Sequence, residues 1–247
     1  IFCFKWLLLF AVKNIRDSDG WQEQSAGSLF GHDFQIFKGI LSCTSLSIFA
    51  CNSTTVTYSK KALREEISNI LKKLTTEEKI KQSANIHKKL FALPQYKESK
   101  RISLYLSTAD EVDTVPILRH IFESGKSVFV PRYKGNNMQM VRLSSMEDYE
   151  ALPLTKWNIK QPSNKDVRED ALETGGLDLV ILPGVAFTLD GKRLGHGMGY
   201  YDKFLHSCFE KQVQKPYLVA VAFGEQIKKD IPTTEQDVIL DSIITGY

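Results

Sequence analysis

From Ser59 onward the apolar positions change period in a regular order. In "SKKALREEISNILKKL", Leu63, Ile67, Ile70, Leu71 and Leu74 recur at spacings of three and four, which predicts an amphipathic helix with Ser59 as its N-cap. "TTEEKIKQSANIHKKLFAL" predicts a second helix. Thr75 and Glu78 stand in capping-box spacing, Ile80, Ala84, Ile86, Leu90 and Leu93 form its apolar side, and Pro94 ends it. "RISLYLS" (101–107) alternates Ile102, Leu104 and Leu106 with polar positions and reads as a strand. A helix over "TVPILRHIFESGK" closes at Gly125, and "SVFVPRY" is a second strand stopped by Pro131. After the turn signal "GNN" comes a short third strand, "MQMVRL". "SSMEDYEAL" is helical, and "PLTKWNIKQPSN" is a loop bounded by prolines.

"LDLVILPG" (177–184) is almost continuously apolar, the mark of a parallel strand covered on both faces. A glycine-rich turn follows, then a helix carrying Tyr201, Phe204, Leu205, Cys208 and Phe209 on one side. "YLVAVAF" (217–223) is another buried strand, and 238–244 is the last. This alternation predicts a Rossmann-like, three-layer α/β domain, its mostly parallel sheet flanked by helices. There is no internal repeat.

Composition narrows this picture little. The 247 residues suit one α/β domain plus a tail. A net charge of +3, with lysines spread along the helices, gives no concentrated basic stripe and no reason to expect a nucleic-acid partner. Cys3, Cys43, Cys51 and Cys208 form no CxxC pair and read as unpaired thiols in a reducing compartment, hence the cytoplasm. "WLLLFAV" (6–12) is too short to span a bilayer. Residues 1–57 lack a sustained period and are expected to lie outside the domain, which occupies 58–247.

The chemistry concentrates in "GKRLGHGMGYYDKFL" (191–205). Glycines at 195, 197 and 199 stand between a buried strand and a helix, and ligands of open α/β sheets gather at the carboxyl ends of strands. A helix N-terminus with free N–H groups binds phosphate, which side chains at these positions would obstruct. The pattern fits neither the Walker A loop nor GxGxxG, since position 200 is Tyr. A plain structural turn and a phosphate site therefore both remain open. Arg193 can fork onto phosphate oxygens. Asp202 suits the first turn of a helix dipole, and equally the single carboxylate that Mg²⁺ takes when it bridges phosphates.

A wider resemblance bears on the choice. "LPGVAFTLDGKRLGHGMGYYDKFL" is similar to the signature of the 5-formyltetrahydrofolate cyclo-ligase family. "KKALR", "YLSTADEVDT", "VPRY", "WNIKQP" and "EQD" agree with it in order and spacing over about residues 58–245. The resemblance implies a monomeric enzyme acting on small molecules: ATP-dependent closure of 5-formyltetrahydrofolate to 5,10-methenyltetrahydrofolate through a phosphorylated formyl oxygen. It implies nucleotide contacts at Lys60, Lys61, Ala62, Leu63 and Arg64, and at Arg193, Leu194, Gly195, His196, Gly197, Met198, Gly199, Tyr200 and Tyr201. It implies folate contacts at Leu106 and Glu111 and along His196–Tyr200; Tyr133 and Trp157 read equally as flat surfaces for the rings and as ordinary core packing. Mg²⁺ would be held by Asp202 and Asp237, with Asp241 the alternative for the second. Many relatives carry Arg at position 196 and a basic or small residue at 198, so His196 implies anion binding that is weaker or more dependent on pH, while Met198 either meets the folate ring or is simply tolerated. Two other readings stand beside this one: a sugar-phosphate isomerase or coenzyme A transferase relative that needs no ATP, and a folate- or nucleotide-binding protein without turnover.

Overall fold

The structure, a computed structural model, describes residues 59–155 and 158–247. Residues 59–71 form helix α1, whose Ile67 and Leu71 are buried while Leu63, Ile70 and Leu74 pack against the core. Helix α2 (Thr76–Ala92) starts at Thr75, whose hydroxyl accepts the Glu78 N–H at 3.2 Å, and a short α3 (Pro94–Glu98) follows. Then come β1 (Arg101–Leu104), α4 (Val115–Glu123), β2 (Ser127–Lys134), β3 (Asn137–Leu143) and α5 (Met146–Ala151). The second half runs β4 (Leu179–Leu182), a hairpin of β5 (Ala186–Phe187) and β6 (Arg193–Leu194), α6 (Tyr200–Lys211), β7 (Tyr217–Ala222) and β8 (Ser242–Thr245).

Six strands form one sheet in the order β3-β2-β1-β4-β7-β8. Every neighbouring pair is parallel except β2 with β3. Helix α4 packs on β2, α6 on β3 and α2 on β8, giving the three-layer α/β architecture expected from the alternation. The four residues of β4 are completely buried, as a central strand covered on both faces requires. The order of connection reverses between β1 and β4. The loops leaving their carboxyl ends diverge there and open a crevice, the usual ligand position in such sheets. Among the described residues, no helix is long and apolar enough to cross a membrane.

Three details differ from the sequence expectations. Ile80 is 65% exposed and Ala84 also faces solvent, whereas α2 buries Gln82, Ser83, Ile86 and Leu90. The buried amide of Gln82 is satisfied: its Oε1 accepts the Gly224 N–H, and its Nε2 donates to Glu225 and the Tyr247 hydroxyl. A polar residue with its hydrogen bonds made packs inward as well as an apolar one, and the apolar count misjudges the face. Pro131 does not stop β2, which continues to Lys134 in register with β3. Pairing with β1 ends at Phe129, so Pro131 falls where β2 has a single neighbour and proline is tolerated. The last strand begins at Ser242, because Asp241 turns to the start of β7: its Oδ2 accepts the Leu218 N–H at 2.7 Å.

Candidate active site

A cleft of about 1330 Å³ opens at the β1/β4 divergence. One wall is the glycine loop. Gly197 has φ +109° and Gly199, the N-cap of α6, has φ +66°, a left-handed region that L side chains avoid. No side chain caps α6, so its first N–H groups remain donors for an outside acceptor. Helix α1 lies along the loop: Arg64 Nε donates to the Gly195 carbonyl at 2.8 Å. One turn earlier, Lys60 Nζ pairs with Asp237 at 2.6 Å. Burial lowers the Arg64 guanidinium from its ordinary value, and Asp237 partly offsets that.

The five-residue stretch at α1 therefore divides. Lys60 and Arg64 line the cleft, Leu63 packs on the core, and Lys61 and Ala62 face solvent. Leu194 is buried beneath the loop. The two aspartates come together: Asp202 Oδ1 accepts the N–H of Val238, the neighbour of Asp237, at 3.3 Å. Burial works to raise the Asp237 pKa, but hydrogen bonds from Lys60 and Thr234 outweigh it and hold the group below the ordinary carboxylate value. Asp202 is paired with Arg193. Asp241 is engaged with Leu218 of β7, away from the cleft-lining residues.

The opposite wall is aromatic. Tyr105, Leu106 and Tyr133 line it, and Tyr200, from the first turn of α6, brings its ring 4.9 Å from that of Tyr133. Burial, reinforced by Glu111 and Tyr200, pushes the Tyr133 phenol up to about 12, and burial raises Tyr201 well above its usual value. These hydroxyls stay protonated, and that of Tyr201 is buried without a hydrogen-bond partner among the described residues. Glu111 is fixed through one oxygen, Oε2 accepting the Thr108 N–H at 2.9 Å and its hydroxyl at 3.0 Å. Its Oε1 lies 4.0 Å from His196 Nε2, which reaches across from the glycine loop. His196 and Met198 both line the cleft and are exposed, the Met198 residue by 62%. Trp157 lies outside the described residues; Thr155, Ile159 and Lys160 of the same loop line the cleft.

Thr108 and Thr234 went unrecognised in the sequence, although each caps a carboxylate three positions on, Glu111 and Asp237. The same spacing at Thr75 and Glu78 makes an ordinary helix cap, so the signal does not distinguish a site from a helix start. A second cavity, of about 360 Å³ beside Arg142 and Arg168, is filled with mutual ion pairs to Asp148, Asp166 and Glu169.

A donor-rich loop and a group of tyrosines meet at the reversal point of a mostly parallel sheet, an arrangement that defines an α/β enzyme cleft. The sequence model of the 5-formyltetrahydrofolate cyclo-ligase family matches residues 56–246, and the chain belongs to that family. It is 49% identical over 194 residues to a Mus musculus 5-formyltetrahydrofolate cyclo-ligase, covering 78% of this chain and 96% of that one. It is 35% identical to an Arabidopsis thaliana relative named mitochondrial, covering 75% and 73%. A solved structure of Aquifex aeolicus 5,10-methenyltetrahydrofolate synthetase superposes with a TM-score of 0.62 at 29% identity, covering 76% of this chain and 89% of that one.

Proposed function

We propose that this chain converts 5-formyltetrahydrofolate to 5,10-methenyltetrahydrofolate in an ATP- and Mg²⁺-dependent reaction that releases ADP and phosphate. The observation that carries the reading is the meeting, in one cleft, of cationic donors on the glycine-loop side with the Tyr133–Tyr200 wall and the half-free carboxylate of Glu111.

Each part has a task in that chemistry. Backbone N–H groups of Gly195–Tyr200, with Lys60 and Arg64, hold the nucleotide phosphates, and preorganised donors of this kind stabilise a transferring phosphoryl group. Tyr133, Tyr200 and the Trp157 loop flank the folate rings, and Glu111 Oε1 accepts ring N–H groups. In that register the formyl oxygen attacks the γ-phosphorus and ADP departs. N10 then attacks the activated formyl carbon and gives up its proton to solvent, and phosphate leaves with the former formyl oxygen. Holding the reactants together supplies much of the rate. Asp202 and Asp237 fit Mg²⁺, which takes one or two protein carboxylates and completes its shell with phosphate oxygens and water; bound there it would neutralise developing phosphate charge. The chain works as a cytoplasmic monomer with small-molecule partners, without nucleic acid or membrane.

Substrate labelled with ¹⁸O in the formyl group tests the route. Label recovered in inorganic phosphate is expected. Turnover that leaves phosphate unlabelled would refute the phosphorylated intermediate. ATP hydrolysis without ring closure, or binding without either, would refute the reaction itself.

A further inference from the structure

The loop spacing aims Arg193 at phosphate, yet the fold turns it inward. Only 4% of its side chain is exposed. Nη2 donates to both carboxylate oxygens of Asp202 at 3.0 Å, and Nη1 donates to the Pro183 carbonyl at 3.3 Å. The guanidinium carbon lies 5.7 Å from the centroid of the Tyr201 ring. Two glycines make room for the side chain. A Cβ at Gly195 would stand 3.1 Å from Arg193 Nη1, and one at Gly184 would meet the Phe187 ring at 2.5 Å and Arg193 Cγ at 3.2 Å. Arg193 is thus wedged beneath the loop, joining the end of β4 to the first turn of α6.

Lys60 offers a contrast at the cleft-facing side of the same cluster. Asp202 accepts the N–H of Val238, the residue after Asp237, at 3.3 Å, so the two side chains sit on one rim of the cleft, each with its own cation. Asp237 has Lys60, on a flexible stem whose side chain remains 15% exposed. Asp202, its side chain 20% exposed, has Arg193, a desolvated fork that engages both carboxylate oxygens.

We propose that Arg193 is a positioning residue. It fixes the orientation of the Asp202 carboxylate beside Asp237 and does not bind the nucleotide, a task left to Lys60, Arg64 and the loop amides. This deepens, and rests on, the phosphoryl-transfer reading above.

The test uses the full chain as Arg193→Lys, Arg193→Gln, Asp202→Asn and the Arg193→Gln/Asp202→Asn double variant. It compares melting temperature, metal-free ATP binding by calorimetry, kcat and the ATP KM. A positioning role predicts non-additive melting losses, the double variant falling no further than the worse single one. It also predicts metal-free ATP affinity within about threefold of wild type in every variant, kcat down about tenfold or more in Arg193→Gln, and partial recovery in Arg193→Lys. Melting losses that add in full would overturn the proposal. So would metal-free ATP binding weakened about tenfold in Arg193→Lys while Asp202→Asn keeps it. If Arg193→Gln does not fold, ATP binding by Arg193→Lys decides alone. Wild type that closes no ring would refute the proposed reaction, while the melting cycle would still judge the pairing.

Discussion

Gly199→Ala separates a glycine loop built for a ligand from one that is only a turn. Gly199 has φ +66°, and a Cβ there meets no heavy atom within 4 Å. The substitution therefore causes no clash in the free protein, and its intrinsic cost is that of placing an L-residue in the left-handed region, about 1–2 kcal/mol. Gly125 is a matched control: φ +68°, nothing within 4 Å of an added Cβ, and a position at the end of α4, outside the residues lining the cleft. For a domain of this size, each kcal/mol lowers the melting temperature by roughly 2–4 °C. Both alanine variants should accordingly melt about 2–8 °C below wild type. They should differ in catalysis. At position 199 the new methyl fills open space beside the uncapped N-terminus of α6, where an anion must approach the backbone closely. Steady-state kinetics should give an ATP KM raised at least about tenfold for Gly199→Ala, equivalent to roughly 1.4 kcal/mol of lost binding, and unchanged kinetics for Gly125→Ala. Equal melting losses with wild-type kinetics in both variants would refute the phosphate assignment and leave the loop as a turn.

Other expected outcomes rest on separate contacts. Lys60→Met should raise the ATP KM about tenfold and cost about 1–2 kcal/mol of stability, between the exposed and buried ion-pair limits; kinetics and urea titration check both, and an unchanged KM counts against Lys60 as a nucleotide contact. Glu169 is held at about 2 rather than 4.5, chiefly by Arg142, with Thr174 and Arg101 assisting. A depressed carboxylate stabilises the fold above its unfolded pKa, and that contribution fades as pH falls from about 4.5 toward about 2. The melting-temperature gap between wild type and Glu169→Gln should therefore be full at about pH 7 and shrink steadily through this acid window; a constant gap would contradict the pairing. His196→Arg places a permanently charged guanidinium on the glycine loop, so it should flatten the pH dependence of the ATP KM between about pH 6 and 8.5. Identical profiles would show that the charge at position 196 is immaterial.

What was legible in the sequence follows the length scale of the interaction. The cap at Thr75, the buried run of β4 and the inward face of α6 depend on neighbours a few residues apart, and their periodicity reports them. Gln82 misleads because its burial depends on Gly224, Glu225 and Tyr247, more than 140 positions away. Lys60 and Arg64 read as a solvated basic face until α1 lies beside the loop and Arg64 reaches Gly195 across 131 positions. Their assignment to the nucleotide came from family resemblance, as did those of Glu111 and Asp237. Arg193 and Asp202 were both conspicuous. Spacing alone could not reveal that they face one another beneath the loop, because the β5–β6 hairpin that turns Arg193 inward is too short to leave a periodic signal.

The most direct test of the central claim is a single absorbance trace. The purified chain is mixed with 5-formyltetrahydrofolate, ATP and Mg²⁺, and the near-ultraviolet band of the methenyl product is followed. The account predicts a rise that requires both ATP and Mg²⁺, yields one ADP per ring closed, and is lost in Asp202→Ala. A rise that proceeds without ATP, or no rise from a folded chain that still binds the folate, would contradict it.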